Sequence, residues 1–202
     1  MPPGTRVMTP PTGESYTFDP GCFSLELLLT GGPGTYEQWE ILHEPADLAS
    51  WLVDSRLAAP PAGEPLGAAD FRIRPAELRR IVQFRDTFLS VALAITRGER
   101  PSAADLEVIN FAAGPGPVPR IDPKTLTHGW QTPITGTQVL GAAAADAIDQ
   151  VASASSGRVR MCAGDNCLLL FLDTSRPGNR RWCSMQRCGN RNKVHTFRAK
   201  NA

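Results

Sequence analysis

Apolar positions recur at helical spacing in two long stretches of the 202-residue chain. Over 75–97, Leu78, Ile81, Val82, Phe84, Phe88, Leu89, Ala92 and Ile95 largely follow the helical period and give one broad apolar face. Pro75 suits the first turn of that helix and Gly98 its stop. Over 137–152, Val139, Leu140, Ala143, Ala147, Ile148 and Val151 form a second stripe on an Ala-rich helix. Residues 46–58 read as a short helix carrying Leu48, Trp51, Leu52 and Leu57, and 58–69 as a loop. Ser102 with Asp105 resembles a capping pair opening a helix to about Ala112. Val118 to Ile121 and Leu126 to Gln131, joined at Asp122-Pro123-Lys124, read as a hairpin. The run Phe23 to Leu29 follows the turn signal Phe18-Asp19-Pro20-Gly21, and period alone does not separate strand from helix there.

These elements predict a mainly α (α+β) protein. Residues 1–14, rich in Pro, Gly and Thr, are expected to be disordered. Residues 15–155 are expected to form a helical N-terminal domain with a minor β-hairpin. Ser153 to Gly157 is a natural break before a small module at 156–202. The long apolar faces read first as core and not as walls of a ligand site.

Cysteine spacing gives the small module its chemistry. Cys162 and Cys167, then Cys183 and Cys188, form two C-x4-C pairs with fifteen residues between them. Four thiolates enclose one Zn²⁺ as a closed tetrahedral site, with no position left for a catalytic water. His195 is unnecessary as a ligand beside four cysteines. No apolar run is long enough to span a bilayer and no secretory pattern opens the chain, so a cytoplasmic protein is expected. Thiols there stay reduced, which favours metal over disulfides. Roughly 45 residues with few large side chains bury too little surface to order themselves, and structural zinc supplies about 10–16 kcal/mol. Leu168 to Leu172 reads as a strand, Pro177-Gly178 as a turn, Arg180 to Trp182 as the returning strand and Gly189 to Lys200 as a helix. Knuckle, hairpin and helix together suggest a treble-clef-like finger. Cys22, far from the others, reads as a buried apolar residue.

Charge then separates the two parts. Residues 157–202 hold ten bases and two acids, a net +8, which leaves −7 on the remainder of a chain whose total is +1. A basic, metal-clamped tail on an acidic body suggests contact with a polyanion. Candidate nucleic-acid contacts are Arg180, Arg181, Arg187, Arg191, Lys193, Arg198 and Lys200. Part of that set is expected to serve structure instead, bonding carbonyls around the zinc turns or stacking on Trp182.

Cys188-Gly189-Asn190-Arg191, with Cys162, Cys167, Phe171 to Ser175 and Arg180 to Met185, resembles the CGNR zinc finger over about 160–200. That family commonly carries a preceding helical domain called ABATE, and its members are described as stress-induced transcription regulators of bacteria. The resemblance implies a DNA-binding regulator. Over 15–155 it rests on order and length, and Leu25-Glu26-Leu27-Leu28-Leu29-Thr30 stands where relatives read L-D-F-x-N-T.

The preferred reading is a regulator whose body senses a small-molecule effector or forms a homodimer while the finger contacts DNA. The alternatives are a zinc-stabilised protein-interaction module and, third, a small-molecule enzyme on the body. No catalytic residues are assigned: G-x-S-x-G, Walker A and H-E-x-x-H patterns are missing, and His43 and His128 stand alone. Gly31-Gly32-Pro33-Gly34 and Gly114-Pro115-Gly116-Pro117 read as loops, because their prolines remove N–H donors a phosphate would need.

Overall fold

The computed structural model describes residues 1–9, 14–59, 64–153 and 157–194. The chain opens with strand β1 (Arg6–Met8), antiparallel to β2 (Tyr16–Phe18), Arg6 opposite Phe18 and Met8 opposite Tyr16. Helix α1 (Phe23–Leu27) follows, tightening into a 3₁₀ turn at Leu28–Thr30. A 3₁₀ segment at Gly34–Trp39 leads to α2 (Pro45–Leu52), and β3 (Phe71–Arg72) leads to α3 (Pro75–Thr96) and α4 (Ala103–Ala112). Strands β4 (Pro119–Ile121) and β5 (His128–Trp130) form the expected hairpin. Strand β6 (Ile134–Thr135) then runs into α5 (Gly136–Ala152), and β7 (Val159–Met161) pairs antiparallel with β8 (Leu170–Leu172). The N-terminal region is thus mostly helical with small two-stranded sheets, and the C-terminal region holds a four-cysteine cluster with a hairpin.

Helix α3 is the central element and packs on α4, α5 and α1. Leu78, Ile81, Phe84, Phe88, Leu89 and Ala92 of its stripe are buried, as are Val139, Leu140, Ala143 and Ala147 of α5. Pro75 stands in the first turn of α3, and Gly98 beyond its end takes φ +71°. In α4, Ser102 Oγ accepts from Asp105 N at 3.0 Å, the expected cap. The parallel pair β3–β6, Phe71 opposite Ile134, sets the starts of α3 and α5 side by side. Glu77 of α3 accepts from Arg74 N (2.8 Å), Arg74 Nη2 (2.9 Å) and Thr137 Oγ1 of α5 (3.0 Å).

The run after Gly21 forms a helix, and its cap explains why. Cys22 offers α1 no side-chain cap, but Asp146 of α5 accepts from Ser24 N at 2.8 Å and from Ser24 Oγ at 2.5 Å. A partner 122 residues away therefore fixes a segment whose own pattern is ambiguous. Cys22 is buried, its thiol pushed up to about 12 by burial and by Asp146. Arg85, with 1% exposure, is the largest fully buried side chain among the described residues; it donates to Glu40 Oε1 (3.0 Å), Glu40 Oε2 (2.7 Å), Asp86 Oδ1 and Thr30 O. That network ties α3 to the loop after α1.

The expectation of disorder over 1–14 is corrected at Arg6–Met8, which pairs in register with β2. Arg6 lies over the Trp51 ring at 4.2 Å and donates to Trp51 O at 3.0 Å, which holds the strand to α2. Residues 10–13, within the same expectation, lie outside the described residues. Among the described residues, no helix is long and apolar enough to cross a membrane.

Candidate metal centre and nucleic-acid interface

The first cysteine pair sits at the tip of the β7–β8 hairpin. Cys162 N donates to Leu169 O at 2.9 Å and extends the ladder, and Cys167 N closes a turn on Gly164 O at 3.0 Å. Asn166 takes φ +57° there, a left-handed position that Asn tolerates. Cys183 follows a loop, and Cys188 lies in a wide π-helical turn, Met185–Gly189, that continues as α-helix over 190–194. The expected helix from Gly189 is therefore present as far as the described residues extend.

The four Sγ atoms lie within 4.8 Å of one another. Cys167 and Cys183 Sγ are 3.8 Å apart, and Cys183 and Cys188 Sγ are 3.6 Å apart. A tetrahedron with Zn–S of about 2.3 Å has edges of about 3.8 Å, so these sulfurs fit Zn²⁺. Cys162, Cys183 and Cys188 are buried and Cys167 is half-buried. Cys183 N donates to Cys162 Sγ at 3.2 Å, an outer-shell bond that steadies a thiolate. Thiol donors from Cys167 and Cys183, with that N–H, lower the pKa of Cys162; Cys183 is pushed up by its hydrogen bonds to Cys162 and Cys167 and by burial. Four thiolates leave no open coordination position, so the site is structural.

The loop between the pairs is built on Asp173, not on a second strand. Arg180 to Trp182, expected as a returning strand, forms no ladder. Buried Asp173 accepts from Ser175 N at 3.0 Å, Ser175 Oγ at 2.5 Å and Arg180 N at 2.8 Å. Its carboxylate takes the N–H that a ladder would have used, and Ala163 N donates to Arg181 O at 2.9 Å, joining this stretch to the knuckle. Burial raises the Asp173 pKa, but these donors and Arg160 outweigh it and the net shift is downward.

Tyr16 and Phe18 of β2 close over the other side. With Phe171 and the cysteines they form a second core, against which Trp182 and Leu29 pack. Burial pushes the Tyr16 hydroxyl up to about 12, and the adjacent Arg187 offsets this only in part. Tyr36 Oη also donates to Leu168 O at 2.8 Å, and Val159 and Leu170 belong to the main core, so finger and body share packing.

The candidate bases divide by environment. Arg180 is committed to structure: it lies 4.2 Å over Phe171 and donates to Trp182 O (3.0 Å), Cys183 O (2.7 Å) and Asp19 O (3.3 Å). Arg187 lies 4.7 Å over Tyr16 and donates to its hydroxyl. Arg181 is exposed, 5.1 Å from the Trp182 ring. Arg191 and Lys193 are exposed on the finger helix. Among the described residues, none of these three pairs with a carboxylate. Arg198 and Lys200, like His195 and Phe197, lie outside the described residues.

Two known families match the chain, each over a separate span. Residues 158–201 match the family described as CGNR zinc finger, and 21–154 match ABATE, described as "Putative stress-induced transcription regulator". The chain belongs to the ABATE family. No curated protein matches the chain. In this ABATE protein β1 and β2 precede both matched spans, so Tyr16 and Phe18 are finger-core residues that neither match includes. Their signal was the alternation Tyr16-Thr17-Phe18 ahead of Asp19-Pro20-Gly21, which the turn residues overshadow.

Proposed function

We propose that this ABATE protein is a transcription regulator that contacts DNA through its zinc finger. The observation that carries the reading is the set of exposed, carboxylate-free bases Arg181, Arg191 and Lys193 on a finger with net +8. Zinc fixes the loop and helix on which they stand, and bases so presented displace counterions from a polyanion. Arg198 and Lys200 extend the same basic sequence. Arg180 and Arg187 support the surface from beneath. The body serves dimerisation or effector sensing. Phe111, Ile121 and Leu126 are exposed apolar residues on α4 and the β4–β5 hairpin, and a dimer there would double the DNA contacts of a small finger.

The test is duplex DNA binding by the full zinc-loaded chain at several salt concentrations. Arg191→Ala should weaken binding similarly on all sequences and reduce the salt slope by about 1. Affinity that ignores both salt and Arg191→Ala would refute the reading. A second reading, a finger that docks a protein, is favoured by the exposure of Met185 and Val194 on the finger helix. It predicts no duplex binding at low salt.

A further inference from the structure

A groove of about 640 Å³ runs between the N-terminal hairpin and the finger. That volume lies in the range of small-molecule sites. One wall carries Thr17 and Asp19; the other carries Asn179, Arg181, Trp182 and Met185. Neither the hairpin nor the finger makes this groove alone, and the hairpin precedes both matched spans.

Much of the lining is already satisfied. Arg180 spends its donors on the carbonyls of Trp182, Cys183 and Asp19. Asp19 is paired with Arg56, which it shares with Glu26, and accepts from Gly21 N at 2.7 Å. What stays on offer is specific in kind. Trp182 supplies an indole surface and Met185 a half-exposed thioether. Asn179 is exposed and its side-chain amide has no hydrogen-bond partner among the described residues, so it offers both donor and acceptor. Arg181 adds a cation over the Trp182 ring, 5.1 Å from its centroid.

An aromatic platform, a two-way amide and a guanidinium within one groove match a planar heterocycle that carries a phosphate. We propose that this groove is a nucleotide site, with the base stacked on Trp182, its edge read by Asn179 and the phosphate held by Arg181. The inference goes beyond DNA binding by the finger, because it requires neither a duplex nor a helix lying in a groove of DNA. The same chemistry is offered by one unit of a single strand and by a free mononucleotide.

The test measures binding of oligo(dA), adenosine monophosphate and a duplex to the full zinc-loaded chain, with zinc content determined for every variant. Trp182→Ala should weaken oligo(dA) and monophosphate binding about tenfold or more, the order of one lost base–aromatic stack, while Trp182→Phe retains most of it. Because Trp182 also packs on the finger core, Thr17→Trp provides an independent variant: it fills the groove from an exposed strand position away from the cysteines and should weaken both ligands similarly. Oligo(dA) bound more tightly than the monophosphate assigns the site to a strand, and equal affinity assigns it to a free nucleotide. Failure of both ligands to bind, or both variants staying within about twofold of the parent, overturns the proposal. Duplex binding that survives Thr17→Trp without any oligo(dA) or monophosphate binding overturns this site and leaves the DNA reading standing. Groove-dependent nucleotide binding without duplex binding does the reverse.

Discussion

At Gly164 a Cβ would stand 2.8 Å from Cys188 Sγ and 3.0 Å from Cys188 Cβ, so the knuckle passes too close to that ligand for any side chain. Gly189, the second residue of the Cys188-Gly189-Asn190-Arg191 motif, is also crowded, but by the Met185 thioether at 2.8 Å, which is flexible. Gly164→Ala should therefore weaken zinc affinity about tenfold or more in a chelator competition, and Gly189→Ala clearly less. Equal effects would contradict the geometry. A second residue-scale prediction concerns Glu77, whose carboxyl is held at about 2 by Arg74, against its burial, with Thr137 assisting. Its folded pKa lies below the ordinary value of about 4.3. The stabilisation is therefore complete above that value and is lost as pH falls toward about 2. Glu77→Gln should cost about 1–3 kcal/mol in urea unfolding at neutral pH, and the gap to the parent should narrow across that acid window. A gap independent of pH would show that Glu77 acts through packing alone.

Elements were legible where the pattern is local. Helices α3 and α5 and the β4–β5 hairpin follow from periodicity, capping and turn residues within their own segments. What escaped depends on distant partners. Helix α1 takes its cap from Asp146, and the β3–β6 pair joins two-residue strands 63 positions apart at Phe71 and Ile134, too short to show a period. The stretch Arg180 to Trp182 lost its ladder to Asp173. At the zinc site the four cysteines were evident from spacing, whereas Tyr16 and Phe18 cover it from a hairpin whose other strand, Arg6–Met8, falls in the Pro- and Gly-rich start that reads as disorder. That cover is testable. Phe18 is 1% exposed, and Phe18→Ala should destabilise the protein by about 3–5 kcal/mol and also speed zinc loss to a chromogenic chelator. Unchanged zinc release would mean that the hairpin only rests against the finger.

Across the whole molecule the finger packs into the core of the ABATE region, because Val159 and Leu170 pack with the body's helices and Tyr36 bonds Leu168 O. Chelating the zinc should therefore lower the thermal midpoint of the entire chain and not merely melt a separate tail. A body transition unmoved by chelation would contradict that coupling. The same zinc orders the basic finger joined to an acidic body, the arrangement on which the proposed DNA contact rests. The most direct measurement is the slope of log affinity against log salt for duplex DNA, taken on the zinc-loaded chain and on a variant combining Arg181→Ala, Arg191→Ala and Lys193→Ala. If these three side chains meet phosphates, the slope falls by about 2.7 and low-salt affinity drops with it. An unchanged slope, with zinc still bound, would contradict the account.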